Sequence, residues 1–264
     1  MNEQNAAVQI QRDGAVAEIV LNRPEVLNAA DLQLAEAFLA VCRSIAADPS
    51  VRIVVLRGAG KAFMGGGDLA GFRAAPERAA QTADALITPL NEAVTILAGL
   101  PVPVVASVHG AVAGAGVSLA LACDLVIAAD NAKFNLAYSR IGASPDLSAS
   151  WFLPRVVGLQ KAMEIALLAE SFDAAEALRL GVVNRVVPAS SLATETAALA
   201  CRLAAGPAAS YRAIKSLIRA SYERDLRGQL EAERMAFCEC ARTHDFREGV
   251  AAFYERRAAT FTGS

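Results

Sequence analysis

The stretch Gly110–Leu125, GAVAGAGVSLALACDL, decides how this chain is read. Three glycines lead into an apolar run, Val117 to Cys123, that predicts a buried helix. The helix opening offers Ser118 but no carboxylate, histidine or thiol. Its chemical asset is therefore bare backbone. The first N–H groups of a helix have no intrahelical acceptor and sit at the positive end of the dipole, so they favour a negatively charged oxygen.

Working outward, Val104–Val108 and Leu125–Ala128 read as buried strands on either side of this helix. Val8 to Leu21 reads as a hairpin turning at Asp13-Gly14. Asp31 predicts an N-cap for a helix carrying Leu32, Ala35, Leu39, Cys42 and Ile45, which Asp48-Pro49 ends. Arg52–Arg57 is another buried-type strand, and a helix is expected from about Pro76 to Leu97. Leu159 to Ala169 is amphipathic, Asp173 caps a short helix ending at Gly181, and Val182–Val187 reads as a last strand. Strands alternating with helices imply an α/β fold with a mainly parallel sheet. Only helical patterns follow, with breaks expected at Pro207 and Gly228. The expected organisation is an α/β core over residues 1–190 and a C-terminal helical region over 191–264, packed on the core or on another subunit.

A second glycine-dense helix entrance, FMGGGDLAG (Phe63–Gly71), follows the strand at 52–57. Open parallel sheets place ligands at such strand ends. Gly114-x-Gly116-x-x-Leu119 is a broken dinucleotide fingerprint, and no phosphate-binding Gly-x-x-x-x-Gly-Lys-Ser/Thr loop is present. Two loops at equivalent strand ends suggest instead two N–H donors converging on one oxygen, an oxyanion hole.

Bulk properties narrow the partners. The 264 residues carry a net charge of −2, which leaves no electrostatic footprint for nucleic acid. The polar opening MNEQNAAVQIQRDG is not a signal peptide, and Val102–Ala129 divides into strand, loop, helix and strand rather than a membrane span. Five cysteines (Cys42, Cys123, Cys201, Cys238, Cys240) have no disulfide or zinc spacing. A reduced, cytoplasmic protein with no metal is the expectation.

The segments LNRPEVLNA (Leu21–Ala29), GKAFMGGGDLAGF (Gly60–Phe72) and PVPVVASVHGAVAGAGVSLALACDLVIAAD (Pro101–Asp130) resemble the crotonase, or enoyl-CoA hydratase/isomerase, superfamily. LPRVVGLQKAMEIALL, AAEALRLGVVNRVVP and the ending EGVAAFYERRAATFTG extend the resemblance over about residues 8 to 262. It implies a spiral of repeated ββα units followed by a helical region that builds trimers or dimers of trimers. It also implies an acyl-CoA thioester substrate, with CoA as part of the substrate and no separate cofactor. By motif position the oxyanion donors are the N–H groups of Gly67 and Ala115, and Val26, Leu27, Gly65, Asp68 and Leu69 fall where the family contacts CoA. Asp68 has a competing reading as the N-cap of the following helix.

The hydratases of this superfamily carry two glutamates, and here those positions are Ser118 and Tyr138, which the resemblance places among the substrate-binding residues. Ordinary water addition thus lacks its acid and base, because neither hydroxyl is a base near neutrality without a partner. Asp146, in IGASPDLSASWFLPR, falls where several members have a catalytic aspartate, and the segment is most similar to the ring-epoxide isomerases. Pro145-Asp146 also suits a helix N-cap. Ile141, Trp151 and Phe152 are candidates for raising its pKa, with Trp151 expected in the core. Glu92, a candidate general base in a dehalogenase reading, is expected on a solvated helix face, and His109 and His244 are expected to be ordinary hydrogen-bonded histidines. The reading is an acyl-CoA isomerase working through a thioester enolate. The alternatives are a hydratase, hydrolase or dehalogenase, with Asp146 as nucleophile in the last, or a non-catalytic acyl-CoA binder.

Overall fold

The computed structural model describes residues 6–264, and of the polar opening residues 1–5 lie outside it. The hairpin forms as expected: β1 (Val8–Asp13) pairs antiparallel with β2 (Val16–Leu21). Asp31 caps α1 (Leu32–Ala46) by accepting from the Leu34 N–H at 2.8 Å. β3 (Ile53–Gly58) then enters the sheet parallel to β2. A short α2 (Ala70–Ala74) and a long α3 (Ala79–Gly99) carry the chain back to β4 (Val104–Val108), parallel to β3.

Next come β5 (Ala111–Ala113), α4 (Ala115–Ala122), β6 (Leu125–Ala129) and β7 (Lys133–Asn135). They are followed by α5 (Ala149–Val157), α6 (Leu159–Leu168), β8 (Phe172–Asp173), α7 (Ala174–Arg179) and β9 (Arg185–Val187). The helical region holds α8 (Leu192–Ala204), α9 (Ala208–Arg219), α10 (Leu226–Ala241) and α11 (His244–Glu255).

The main sheet has the order β1-β2-β3-β4-β6-β9, parallel from β2 onward. β4 lies in the middle and is buried along its whole length, as a strand covered on both faces must be. Phe38, Leu34, Leu56, Leu97 and Leu119 fill the larger core on one face. On the other face Leu192 and Ala200 of α8 pack on Ile53, Val55, Val105 and Ile127. Thr196 of α8 and Ser107 of β4 share a buried hydroxyl pair at 2.8 Å. Further along, α9 is fastened to the core through Asp124, which takes Lys215 Nζ and Arg219 Nη2, each at 2.7 Å. Arg219 also donates to the Ala122 carbonyl at 2.9 Å, capping the C-terminal end of α4.

Several expectations need correction. The helix after the second glycine loop begins at Ala115, not Val117, so Gly116 lies inside its first turn. The turn that launches it is Gly114, whose φ of 50° and ψ of −117° are open to glycine alone. Gly228 does not break a helix. It sits in the first turn of α10 and donates to the capping Asp225 at 2.7 Å. The strand read at 182–187 shortens to Arg185–Val187.

A second, small sheet of order β5-β7-β8 was not anticipated, because strands of two or three residues carry no readable alternation. Among the described residues no helix is long and apolar enough to cross a membrane.

Candidate active site

β3 and β4 are adjacent and parallel, so the loops leaving their carboxyl ends run side by side. They are stitched together: the Met64 N–H donates to the Ala111 carbonyl at 3.1 Å and the Ala113 N–H donates to Met64 at 2.9 Å. Behind them, the Ala30 N–H donates to Gly66 and the Asp68 N–H donates back to Ala30, each at 2.8 Å. The contact is close enough to demand glycine. A Cβ on Gly116 would lie 2.5 Å from the Met64 carbonyl oxygen, whereas one on Gly114 would meet the Gly66 Cα at an ordinary 3.6 Å, so there the positive φ is what requires glycine.

The turns carrying Gly67 and Ala115 are thereby held against each other. Ala115 is the first residue of α4, so its N–H has no intrahelical acceptor. Neither that N–H nor the one on Gly67 donates to a backbone carbonyl among the described residues. Gly67 is exposed and Ala115 is buried at the floor.

The loop of residues 23–28 forms the adjoining wall. Gly65 donates to the Leu27 carbonyl at 2.8 Å, and Leu27 and Asn28 both adopt left-handed backbone (φ 56° and 57°). Val26 and Leu69 leave apolar surface exposed on this wall. Asp68 accepts from the Ala70 N–H at 3.0 Å and pairs with Arg23 at 3.3 Å. It stands one residue before the first position of α2's cap, Leu69, so the N-cap reading is off by one residue and the side chain is a loop tether.

Asn28 escaped the sequence reading. It is fully buried, and its Nδ2 reaches the carbonyls of Ala59, Ala62 and Phe63 at 2.9, 2.8 and 3.1 Å. Asn28 therefore pins the wall to the first glycine loop. The signal was available in LNRPEVLNA, since asparagine is the residue that tolerates left-handed backbone while hydrogen-bonding its surroundings.

Ser118 and Tyr138 both meet Asp146. Tyr138 lies in a single turn over residues 137–141, and its hydroxyl donates to Asp146 Oδ1. Ser118, fully buried on α4, donates to the Asp146 carbonyl at 3.0 Å and lies 3.3 Å from the Tyr138 hydroxyl. Asp146 does not cap α5. That helix is preceded by Ser148, with no side-chain cap. The carboxylate is turned away because Leu147 and Ser148 both hold positive φ, 47° and 77°. For side chains with a Cβ such backbone costs roughly 1–2 kcal/mol per residue, and strain of this kind gathers at functional sites.

Burial pushes the Asp146 carboxyl above the ordinary carboxylate range, with the Tyr138 hydrogen bond opposing. Burial, and then the charge of Asp146, push the Tyr138 phenol up, so it stays protonated and able to donate.

The neighbours sort differently from expectation. Trp151 is not in the core: it is 46% exposed, with the Arg155 guanidinium 3.5 Å above its ring. Ile141 is exposed too, whereas Phe152 packs against the core. Glu92 pairs with Arg43 on the surface, and His109 Nε2 bonds the Gly60 carbonyl at 2.9 Å. Burial pushes the Cys42 thiol up to about 12, which leaves it inert.

The chain matches the enoyl-CoA hydratase/isomerase family over residues 11–264. It is 40% identical over 248 residues to a protein of Rhodobacter capsulatus named "Probable enoyl-CoA hydratase", covering 94% of this chain and 95% of that one. It is 39% identical over 250 residues, with 94% and 95% covered, to the 1,2-epoxyphenylacetyl-CoA isomerase of Escherichia coli. The crystal structure of an enoyl-CoA hydratase from Polaromonas sp. JS666 superposes with a TM-score of 0.91 at 33% identity, over 97% of this chain and 99% of that one. The α/β fold is thus the crotonase-type fold, and this chain belongs to the enoyl-CoA hydratase/isomerase family.

Proposed function

We propose that the protein isomerises the double bond or ring of an acyl-CoA thioester through an enolate, with Asp146 carrying the proton. Overall identity does not choose the reaction, since a hydratase-named and an isomerase-named relative lie at 40% and 39%. The observation that carries the choice is local. Asp146 is joined by Ser118 and Tyr138, whose hydroxyls bond the Asp146 segment, where hydratases of the superfamily would carry glutamates.

In this reading the thioester oxygen lies between the Gly67 and Ala115 N–H groups, and CoA runs along the wall of Val26, Leu27, Gly65, Asp68 and Leu69. Asp146 takes a proton from the α or γ carbon, and the electron pair moves to the thioester oxygen, where the two N–H groups hold the enolate. The protonated Asp146 returns the proton at the other carbon, and no water enters. A carboxyl held above its usual range is a stronger base toward carbon, and such acid–base catalysis contributes about 10²–10⁴-fold. Donors aimed at the enolate oxygen act with least reorganisation in a water-poor site.

The test is turnover of a panel of enoyl-CoA and ring-containing acyl-CoA esters in ¹⁸O-labelled water, followed by mass spectrometry. Isomers without label are expected. Label in the acyl product would replace isomerisation by hydration or hydrolysis, and tight binding without turnover of any ester would make the protein a binder.

The helical region supports assembly as a trimer or a dimer of trimers. Phe253 and Tyr254 are 78% and 81% exposed, and Phe237, Phe246, Ile214 and Val250 line an apolar groove of about 700 Å³. Apolar patches of this kind mark interfaces. Light scattering on the purified protein is expected to give three or six times the 27.5 kDa chain mass; a monomer mass would overturn it.

A further inference from the structure

We infer that Tyr138 is a positioning residue for Asp146: it occupies Oδ1, leaves Oδ2 to exchange the proton, and locks the carboxylate to the turn that carries the Ala115 N–H. The inference rests on the proton-shuttle reading of Asp146 and goes beyond it, since it assigns Tyr138 to the carboxylate rather than to substrate.

Three observations carry it. The Tyr138 hydroxyl donates to Oδ1 and is the one side-chain donor on the carboxylate among the described residues, the Asp146 backbone N–H being its other partner. The Tyr138 ring backs the glycine turn before α4, its Cζ lying 3.8 Å from where a Cβ on Gly114 would stand. The Asp146 main chain is held separately, its carbonyl accepting from Ser118 Oγ at 3.0 Å and from the Ala149 N–H at 3.1 Å. One aromatic side chain thus touches both halves of the site, the donor turn on one side and the proton carrier on the other. Two carboxylate oxygens that compete for a carbon acid become one, with a fixed direction.

The groups facing Asp146 are few. Tyr138 comes from the turn at 137–141 and the uncharged Ser118 from α4. On α5 Arg155 is engaged with Trp151, and Arg140 on the turn is exposed. Neither cation acts on the carboxyl; among the described residues the Tyr138 hydroxyl and the Asp146 backbone N–H bond it, and both favour the charged form.

The sign of the effect follows. Asp146 must be ionised to take a proton, so its pKa sets the acid limb of kcat/KM. Tyr138→Phe keeps the ring against Gly114 and removes only the donor. The acid limb is expected to move up by about one pH unit. kcat on the plateau is expected to fall about tenfold, with KM within about twofold of wild type, a pattern that marks an interaction absent from ground-state binding. Placing 3-fluorotyrosine at position 138 makes a stronger donor and is expected to move the limb down, which keeps the test open if the phenylalanine variant does not fold. Ser118→Ala, which removes the bond to the Asp146 carbonyl and the 3.3 Å contact with the Tyr138 hydroxyl but none to the carboxylate itself, is expected to lower kcat and to move the limb less than Tyr138→Phe does.

Asp146→Asn is run in the same assay. An inactive Asp146→Asn together with an unmoved limb in both Tyr138 variants would overturn the role of Tyr138 alone. A rise in KM without a limb shift would likewise overturn it and return Tyr138 to substrate contact. Wild-type isomerisation by Asp146→Asn would instead overturn the proton-shuttle reading beneath it.

Discussion

Asp146→Asn is expected to cost about 10²–10⁴-fold in kcat for acyl-CoA isomerisation, the range a positioned acid–base group supplies. The substitution is isosteric, and the asparagine oxygen still accepts from the Tyr138 hydroxyl, so the turn at 145–148 keeps its tether. What disappears is the oxygen that takes the proton. Binding is expected to survive, because the Gly67 and Ala115 N–H groups and the wall at Leu27 and Leu69 are untouched. The readout is KM, or Kd for a non-reactive thioester analogue, unchanged beside a collapsed kcat.

Stability should move the other way. The folded-state pKa of Asp146 is raised, so ionising this carboxylate opposes folding once the pH climbs past its unfolded value. A neutral amide escapes that cost, so Tm at neutral pH is expected to equal or exceed that of wild type. A drop in activity accompanied by a lower Tm would indicate lost structure rather than lost chemistry, and undiminished kcat would remove Asp146 from the mechanism.

Ala115→Pro is the complementary experiment, aimed at the backbone. Proline is well tolerated at the first helical position, because the N–H there has no intrahelical acceptor and the ring presets a helical φ. Ala115 occupies that position in α4, and Gly114 before it has no Cβ to meet the proline ring. The variant should fold, with circular dichroism and Tm near wild type. It lacks one oxyanion donor, a loss worth about 10²–10³-fold in kcat, or about 2.7–4 kcal/mol of barrier. Ala115→Gly keeps the N–H and is expected to keep most of the activity. If the proline variant turns over normally, the thioester oxygen is not held at α4. Gly116→Ala would not serve as a substitute probe, since its Cβ would press the Met64 carbonyl and move both loops together.

Much of the main sheet was legible because its signals are local. β4 is apolar but for Ser107, Asp31 and Asp173 cap the helices that follow them, and the hairpin turns at Gly14. Where the reading slipped, the deciding contact lay elsewhere in the chain. The helix start moved to Ala115 because Gly116 is a close-packing glycine facing Met64, a role that looks the same in sequence as a turn glycine. Trp151 is expected in the core as a large apolar ring, whereas Arg155 one helical turn later covers it at the surface. Asn28 was passed over because its three carbonyl partners lie more than thirty residues away.

The sequence by itself determined the alternation of strands and helices, the two glycine entrances at Gly65–Gly67 and Gly114–Gly116, and serine and tyrosine at positions 118 and 138. Those are matters of composition and period, which survive without a partner. Only the tertiary structure decided what Asp146 does with its carboxylate. An aspartate before a helix can bond the nearby backbone N–H groups or reach a distant hydroxyl, and the outcome depends on the torsions that follow it. Here Leu147 and Ser148 take positive φ although neither is glycine, and nothing in their identity announces it. That backbone is held by packing and by the bonds from Ser118 and Tyr138, and it points the carboxylate at Tyr138 instead of at the end of α5.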